Sequence, residues 1–280
     1  MATISNVNGK KITKIKYKGE IYDTGGSDFN PLQYIIDNHK GDNQPSGEDL
    51  FYEYWGSSLD DVINSCDFSG ITRAYQMFNN CKNLISVPLF NTSNVTSMEK
   101  MFYNCSKLTT IPQLDTSSVT TMSNMFYQCS SLTTIPQLDT SNVTNMNHMF
   151  YFCTSLTTIP QLNTSKVKDF GVMFQSCFKL TTIDITHMNI TSTSYSVSFA
   201  YDCHSLTKLI IRNMTIIPAL YSDSFSGCYH FTGKVNTTYN PQGLKDGRIY
   251  VPDDKVDALK TATNWSVYAD IIVPLSTLVE

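Results

Sequence analysis

One phrase of sequence repeats along most of this chain, and its period constrains the fold more than any other feature. The phrase is clearest over residues 125–141, MFYQCSSLTTIPQLDTS, and its first residues recur 24 positions away at Met101 and Met149. A fixed period of about 20–50 residues is the sequence signature of a solenoid, in which each repeat is one coil that stacks on the next. The chain is therefore predicted to extend by adding coils.

Cysteine marks the same position of each coil. The separations between successive cysteines are 24, 24, 24, 24, 26 and 25 residues. The seven cysteines are Cys81, Cys105, Cys129, Cys153, Cys177, Cys203 and Cys228. A phenylalanine precedes each by three residues, or by four at Phe199, and a leucine follows by three except at Phe231. Positions that recur in phase are expected to stack into one continuous core, with the cysteines as reduced, buried thiols. Cys66 falls where Leu114 and Leu138 fall and is also assigned to the core.

Two segments of each coil carry secondary-structure signals. Leu-Thr-Thr-Ile, as at 132–135, is apolar at its ends and rich in β-branched residues, so it is predicted to be a strand of a parallel sheet. Val-Thr-x-Met-x-x-Met-Phe, as at 143–150, mixes spacings of three and four and predicts a short helix or 3₁₀ turn on the opposite face. The predicted fold is an α/β repeat solenoid, a leucine-rich-repeat-like array of right-handed coils.

The corner between these segments is predicted from four Asx residues, each followed by Thr-Ser. An Asx oxygen at such a position can accept a hydrogen bond from a nearby backbone N–H and so close a turn. The four residues are Asn91, Asp115, Asp139 and Asn163.

The chain divides by composition into three parts. Residues 1–56 are predicted to be an N-terminal module for attachment or capping, with a hairpin of strands 14–17 and 20–23. A helix is expected to begin near Asn30 and Pro31, and residues 40–47 have the composition of a linker. About seven coils fill residues 57–231.

Residues 232–280 are predicted to be a C-terminal capping unit. Residues 247–252 form a predicted strand, after which Asp253 is expected to cap a helix. Trp265, Tyr268 and Ile271 follow at a spacing of three. Such an apolar unit would cover the exposed end of the core, which solenoids need for solubility.

Composition argues against several classes of partner. Lys and Arg number 20 against 24 Asp and Glu, a net charge of -4, which disfavours a nucleic-acid partner. No apolar run reaches the roughly 18–20 residues that span a bilayer, so no membrane insertion is expected. The first residues show no charged and then apolar stretch typical of a secretory signal. This leaves three alternatives: a protein that stays in the cell, one that leaves by another route, such as release of phage by lysis, or one whose leader was removed.

No catalytic motif is visible. The five histidines share no position in the repeat, and there is no G-x-S-x-G elbow, phosphate loop, HExxH or paired CxxC. The prediction is a non-enzymatic protein with no metal and no cofactor. A glycan-processing enzyme remains the third functional class.

Two rows of polar side chains are candidate ligand-binding residues. The tyrosine row is Tyr103, Tyr127 and Tyr151, which follow the buried phenylalanines, and the threonine row is Thr110, Thr134 and Thr158, which flank the inward isoleucines. Tyrosine offers a flat apolar ring with a polar tip, which suits sugars and protein partners, and exposed hydroxyls can bind a glycan. Packing between adjacent coils and simple solvation are the alternatives.

The repeat resembles a known family. Met-Phe-x-x-Cys-x-x-Leu-x-x-Ile, closing with Asp-Thr-Ser-x-Val-Thr-x-Met, resembles the BspA-like branch of leucine-rich repeats found in bacterial surface proteins and some phage proteins, over about residues 57–231. Residues 250–270 resemble C-terminal units of gut-bacterial and phage proteins, and residues 12–23 resemble the opening of some phage tail-associated proteins.

These resemblances imply a binding or structural protein. The leading hypothesis is a phage virion component, a tail or other appendage assembled in the host cytoplasm. It would contact other virion proteins through its N-terminal module and a host surface glycan or protein through its solenoid, with a homo-oligomer possible. The alternative is a bacterial cell-surface adhesin.

Overall fold

The described part of the chain is a stack of coils followed by a small C-terminal unit. The structure is a computed structural model that describes residues 3–4, 14–17, 20–23, 51, 63, 67–188, 198–218, 223–234, 236–239, 242–243 and 245–279. The predicted helix near Asn30, the linker and Cys66 lie outside these residues. Within them, no helix is long and apolar enough to cross a membrane.

The N-terminal strands form the predicted hairpin. Strands β2 (Lys14–Tyr17) and β3 (Glu20–Asp23) pair antiparallel with Tyr17 opposite Glu20. The short strand β1 (Thr3–Ile4) pairs antiparallel with β2, which gives the order β1-β2-β3.

The segment predicted to be a short helix or 3₁₀ turn is a run of single β-turns, so the helical alternative is wrong. Within one coil, Met101 N donates to Met98 O at 3.2 Å and Cys105 N to Phe102 O at 3.2 Å, which are i to i+3 bonds. Alternate amides bond to the following coil instead, as Phe102 N does to Met125 O at 2.9 Å. The backbone is therefore satisfied partly by the neighbouring coil, which a helix would not allow.

Two left-handed residues in each coil explain why no helix forms. Residues one before the cysteine have φ near +60°: Asn80, Asn104, Gln128, Phe152, Ser176 and Asp202. Residues five before it have φ between +52° and +58°: Gln76, Lys100, Asn124, His148, Val172 and Ser198. The left-handed region interrupts a right-handed helix and occurs as single residues, with Asn favoured.

The predicted Leu-Thr-Thr-Ile strands are absent from the coils of Cys105, Cys129 and Cys153. One backbone bond joins each pair of segments, as from Thr133 N to Thr109 O at 3.3 Å, and the threonine hydroxyl donates to the same carbonyl, as from Thr133 Oγ1 at 3.4 Å. Strands appear in later coils and begin two residues further on, as β4 (Thr182–His187) and β5 (Lys208–Asn213). The segments of the earlier coils are therefore joined without a ladder of backbone bonds.

A four-stranded parallel sheet continues from the coils into the predicted capping unit. Strands β6 (Arg248–Val251) and β7 (Ile272–Pro274) extend the order β4-β5-β6-β7, and all three pairings are parallel. Leu209 stands opposite Ile249, which stands opposite Ile272. The sheet thus crosses residue 232, and the last unit extends the stack of coils.

The core is a set of side-chain columns along the stack. Phe78, Phe102 and Phe126 lie face to face with ring centroids 5.2 and 5.7 Å apart, and all are fully buried. Phe51, within the predicted N-terminal module, stacks on Phe78 at 5.1 Å, so the column begins before residue 57. The face-to-face stacking changes to an edge contact between Phe174 and Phe199, where the separation of successive cysteines changes from 24 to 26 residues. The repeat-protein character predicted from the period is confirmed.

The Asx corners are confirmed. Ser117 N donates to Asp115 Oδ1 at 3.0 Å and Ser141 N to Asp139 Oδ1 at 2.9 Å. The corners at Asn91 and Asn163 make the same bond at 3.0 and 3.1 Å. Aspartate and asparagine therefore close the same turn.

The C-terminal unit contains short helices around a buried tryptophan. The helices are α1 (Tyr229–Thr232) and α2 (Val256–Thr261), with 3₁₀ turns at Asp253–Lys255, Ser266–Tyr268 and Leu275–Thr277. Trp265 is fully buried and its Nε1 donates to Pro218 O at 2.9 Å. Asp253 does not cap α2, contrary to prediction, because its Oδ1 accepts from Ser276 N at 3.1 Å and so fastens the chain end.

Candidate functional site: an aromatic stripe

The tyrosine row forms a stack on one side of the coils. Tyr127 lies between Tyr103 and Tyr151, with ring centroids 4.5 and 4.6 Å apart and rings within 12° of parallel. All three residues are half-buried. Burial, with the neighbouring hydroxyls adding to it, raises the pKa of Tyr127 to about 12. The packing alternative therefore holds in part, because the ring faces cover one another.

The row continues into aromatic residues that sequence analysis did not select. The ring centroid of Phe152 lies 5.9 Å from that of Tyr151 and 5.8 Å from that of Phe178. The ring of Phe178 then stacks on that of His204, with ring centroids 4.6 Å apart and an interplanar angle of 3°. His204 in turn lies 5.1 Å from Tyr229 and 4.6 Å from Tyr239. We call this set the aromatic stripe: Tyr103, Tyr127, Tyr151, Phe152, Phe178, His204, Tyr229 and Tyr239.

The stripe was missed because it changes its position within the repeat. The tyrosine row stands two residues before the cysteine, Phe152 one before it, and Phe178, His204 and Tyr229 one after it. The position after the cysteine is Lys, Ser, Ser and Thr in the first four coils and aromatic in the last three. That change of residue type was the available signal.

Phe152 stands out within the stripe. Its side chain is 38% exposed, and its φ is +60° at a position where other coils carry Asn80, Asn104 or Asp202. Asn and Asp tolerate the left-handed region, whereas a bulky side chain there is uncommon and costs energy. A costly backbone placement combined with an exposed apolar ring is typical of a residue kept for contact with a ligand.

His204 gives the stripe a polar group. Its ring lies among Phe178, Tyr229 and Tyr239, and its buried Nδ1 has no hydrogen-bond partner among the residues that the structure describes. Its Nε2 is 3.7 Å from Asp202 Oδ1. The stripe thus combines apolar rings with phenol hydroxyls and one imidazole.

The threonine row is exposed, as predicted, but does not lie on a sheet face. The hydroxyls of Thr110 and Thr134 reach only the carbonyls of Ile111 and Ile135, at 3.4 and 3.5 Å. These long, local contacts leave the hydroxyls accessible. The row remains a predicted glycan contact.

The seven repeated cysteines are buried free thiols, as predicted. Cys129 Sγ donates to Phe102 O at 3.0 Å, and Cys153 Sγ donates to Phe126 O at 3.1 Å. Burial raises the pKa of the Cys129 and Cys153 thiols. A buried, protonated thiol is a poor nucleophile and metal ligand. Among the described residues, no group of three or more His, Cys, Asp or Glu is placed to hold a metal ion.

Comparisons with known proteins identify the family to which the coils belong. A family model described as "Mycoplasma protein of unknown function, DUF285" matches residues 47–135 and again 131–238. The crystal structure of the T. pallidum leucine-rich repeat protein, TpLRR, is similar with a TM-score of 0.42 and 21% identity, covering 61% of this chain and 72% of that chain. No curated protein sequence matches the chain. The two family matches together cover more than half of the chain, from residue 47 to residue 238.

Proposed function

The chain belongs to the family described as Mycoplasma protein of unknown function, DUF285, and we propose that it is a non-enzymatic binding protein whose aromatic stripe contacts a surface macromolecule. The stripe is the observation that carries this proposal. It runs along successive coils and offers a long, preformed contact surface without a catalytic constellation. Extended surfaces of this kind are what stacked repeats provide for binding.

The chemistry of the stripe suits a macromolecular partner. Aromatic side chains are enriched at binding interfaces because a rigid ring buries much area at a small entropic cost. Phenol hydroxyls supply hydrogen bonds to a glycan or a peptide. Stacking between coils holds the tyrosine row in place before the ligand arrives, which lowers the entropy lost on binding.

The proposed partner is a host surface glycan or protein, and the proposed setting is a phage virion appendage. In that setting the hairpin of β2 and β3 belongs to the part that attaches to other virion proteins. A bacterial cell-surface adhesin is the alternative setting. Mass spectrometry of purified phage particles and protease shaving of intact bacterial cells decide between them, because the chain should be found in only one of the two fractions.

Binding of labelled protein to a panel of bacterial cells tests the contact surface. Phe152→Asn should weaken binding by about 1–2 kcal/mol, roughly five- to thirtyfold, as expected when a central aromatic contact is removed. Val267→Asn is the matched control, since Val267 is 63% exposed and lies outside the stripe. Equal binding by both variants, or no binding of the parent protein to any cell type, would contradict the proposal.

Pretreatment of the cells identifies the partner. Periodate oxidises the diols of glycans and leaves most protein intact, whereas protease removes surface proteins. Loss of binding after periodate alone identifies a glycan, and loss after protease alone identifies a protein. Hydrolysis of a bound glycan by the parent protein would refute the non-enzymatic assignment.

A further inference from the structure

A polar groove, separate from the aromatic stripe, lies along the Asx corners of three consecutive coils. Its volume is about 670 Å³, and its walls come from residues 113–117, 137–140, Gln161 and Asn163. We call it the corner groove. Corresponding residues of successive coils line it, so its chemistry repeats along the stack at about 4.8 Å, the usual spacing of hydrogen-bonded strands.

Two glutamine side chains of the corner groove, those of Gln113 and Gln137, use both of their N–H donors. The Nε2 of Gln113 donates to Gln137 O at 2.6 Å and to Leu114 O at 3.4 Å. The Nε2 of Gln137 repeats the pattern, to Gln161 O at 3.0 Å and Leu138 O at 3.2 Å. A primary amide has two N–H donors, so both are engaged and the Oε1 oxygens remain as acceptors.

The carboxylates at the corners leave acceptors in the same way. The hydroxyl and amide of Ser117 both donate to Asp115 Oδ1, at 2.7 and 3.0 Å, and Ser141 N donates to Asp139 Oδ1. Hydrogen bonds from these serines lower the pKa of Asp115 and Asp139, so both carry negative charge at neutral pH. Lys166 also acts on Asp139 and lowers its pKa, and the Lys166 Nζ donates to Asn142 Oδ1 at 2.7 Å.

Thr116 supplies an independent observation in the groove wall. It is 2% exposed, and within the described part of the chain its hydroxyl has no hydrogen-bond partner. The equivalent hydroxyls of Thr92, Thr140 and Thr164 donate to a carbonyl of the following coil, at 2.8, 3.0 and 2.6 Å. Two of these four threonines, Thr116 and Thr140, line the groove, and Thr116 is the one whose hydroxyl stays unused. An unused buried polar group is costly.

We propose that the corner groove binds alkylammonium groups, presented by an extended ligand that carries amines at intervals close to the spacing of the coils. An ammonium is a pure donor with three N–H bonds, and it complements a lining of amide and carboxylate oxygens with two negative charges. An anion would meet two carboxylates without donors to receive it. A neutral sugar would find acceptors for its hydroxyl hydrogens but almost no side-chain donors for its oxygens.

Calorimetric titration tests the proposal with two probes of the same chemistry. Spermidine represents a free polyamine, and a trilysine peptide represents lysine side chains of a partner protein. At least one should bind, and affinity should fall as salt rises, because exposed charges are screened over shorter distances. Binding of spermidine alone assigns a free polyamine, and binding of the peptide alone assigns a lysine-bearing partner. Binding of neither probe at low salt overturns the proposal.

The two Asx corners that carry asparagine suggest a conservative variant. Asn91 and Asn163 close the same turn as the aspartates, so Asp115→Asn with Asp139→Asn should keep the fold and remove only the charge. The double variant should bind the amine probe about tenfold more weakly, as expected for two solvent-accessible charge pairs. Asp257→Asn, at an exposed position of α2, is the control for loss of a carboxylate outside the groove and should bind like the parent.

Three results would overturn the assignment. The double variant could bind as tightly as the parent, Asp257→Asn could weaken binding equally, or calcium at equimolar concentration could displace the amine, which would identify a site for a hard cation. Because the corner groove and the stripe share no residue, Phe152→Asn should leave amine binding unchanged. Failure here is therefore distinguishable from failure of the proposed stripe.

Discussion

Val172 offers a sharp test of the left-handed turns. It has φ +58°, and a β-branched residue in this region is an outlier because its side chain crowds the backbone. The equivalent residues in the neighbouring coils are His148 and Ser198, with Asn124 one coil earlier. Val172→Asn should therefore relieve the backbone, since asparagine visits this region routinely.

The magnitude follows from two opposing contributions. An L-residue in the left-handed region costs roughly 1–2 kcal/mol, and asparagine recovers about half of that cost, 0.5–1 kcal/mol. Val172 is half-buried, so losing its methyl groups costs about 0.5–1 kcal/mol in any variant that removes them. Val172→Ala loses the buried methyl groups in the same way but gains little relief of the backbone. The asparagine variant should therefore be more stable than the alanine variant by about 0.5–1 kcal/mol.

Thermal unfolding followed by circular dichroism measures this difference. For a chain of this size, 1 kcal/mol corresponds to about 2–4 °C in Tm. The comparison of two variants at one site cancels the loss of burial and isolates the backbone. If Val172→Ala proves as stable as Val172→Asn, or more stable, the assigned turn geometry at this position is wrong.

Three further predictions concern the stack itself. Because the pKa of Tyr127 is raised to about 12, the stability linked to its neutral form is fully present below about pH 10 and is lost as pH rises toward 12. Tyr127→Phe should flatten that loss in denaturation midpoints, and an unchanged slope would contradict the assignment. In a Cys66→Ala background the seven buried thiols should resist iodoacetamide in the native protein and react together once it unfolds. Mass spectrometry counts the labelled cysteines, and labelling of the native protein at the rate of a free thiol would refute their burial. Gly227→Ala should cost about 1–3 kcal/mol, since Gly227 has φ +80° and the new Cβ would lie 2.9 Å from Asp202 Cα; an unaltered Tm would refute this.

The burial pattern of the coils was predictable from sequence because stacking demands the same residue at the same position. Phe102, Cys105 and Leu108 are each fully buried at 0% exposure, as their phase required. The Asx corners were also predictable, because a short side chain followed by Thr-Ser has a specific local hydrogen bond to make. Both features depend on single residues and their immediate neighbours.

The backbone conformation was less predictable. Spacings of three and four at Val143, Met146 and Met149 are shared by a helix and by successive β-turns, since both bring those side chains to one face. What separates the two is the pair of left-handed residues and the amides that bond to the next coil. Such inter-coil bonds leave little trace in sequence, because backbone groups of any residue can make them.

The aromatic stripe could be predicted only in part. The tyrosine row kept one phase and was selected, whereas Phe152, Phe178 and His204 changed phase and were missed. Contact across coils depends on three-dimensional proximity, so a ligand surface need not keep the repeat that the core must keep. Likewise, β6 and β7 joined the sheet without the 24-residue phrase, because parallel pairing requires only a strand in register.

Oxidative footprinting of the protein, free and bound to the cells it recognises, tests the central claim most directly. Reaction at Phe152, Phe178 and Tyr239 should be suppressed in the bound state. Leu89 and Val267, which are 65% and 63% exposed outside the stripe, should react equally in both states. Protection of Leu89 or Val267 with no change along the stripe would show that another surface makes the contact and would contradict the account.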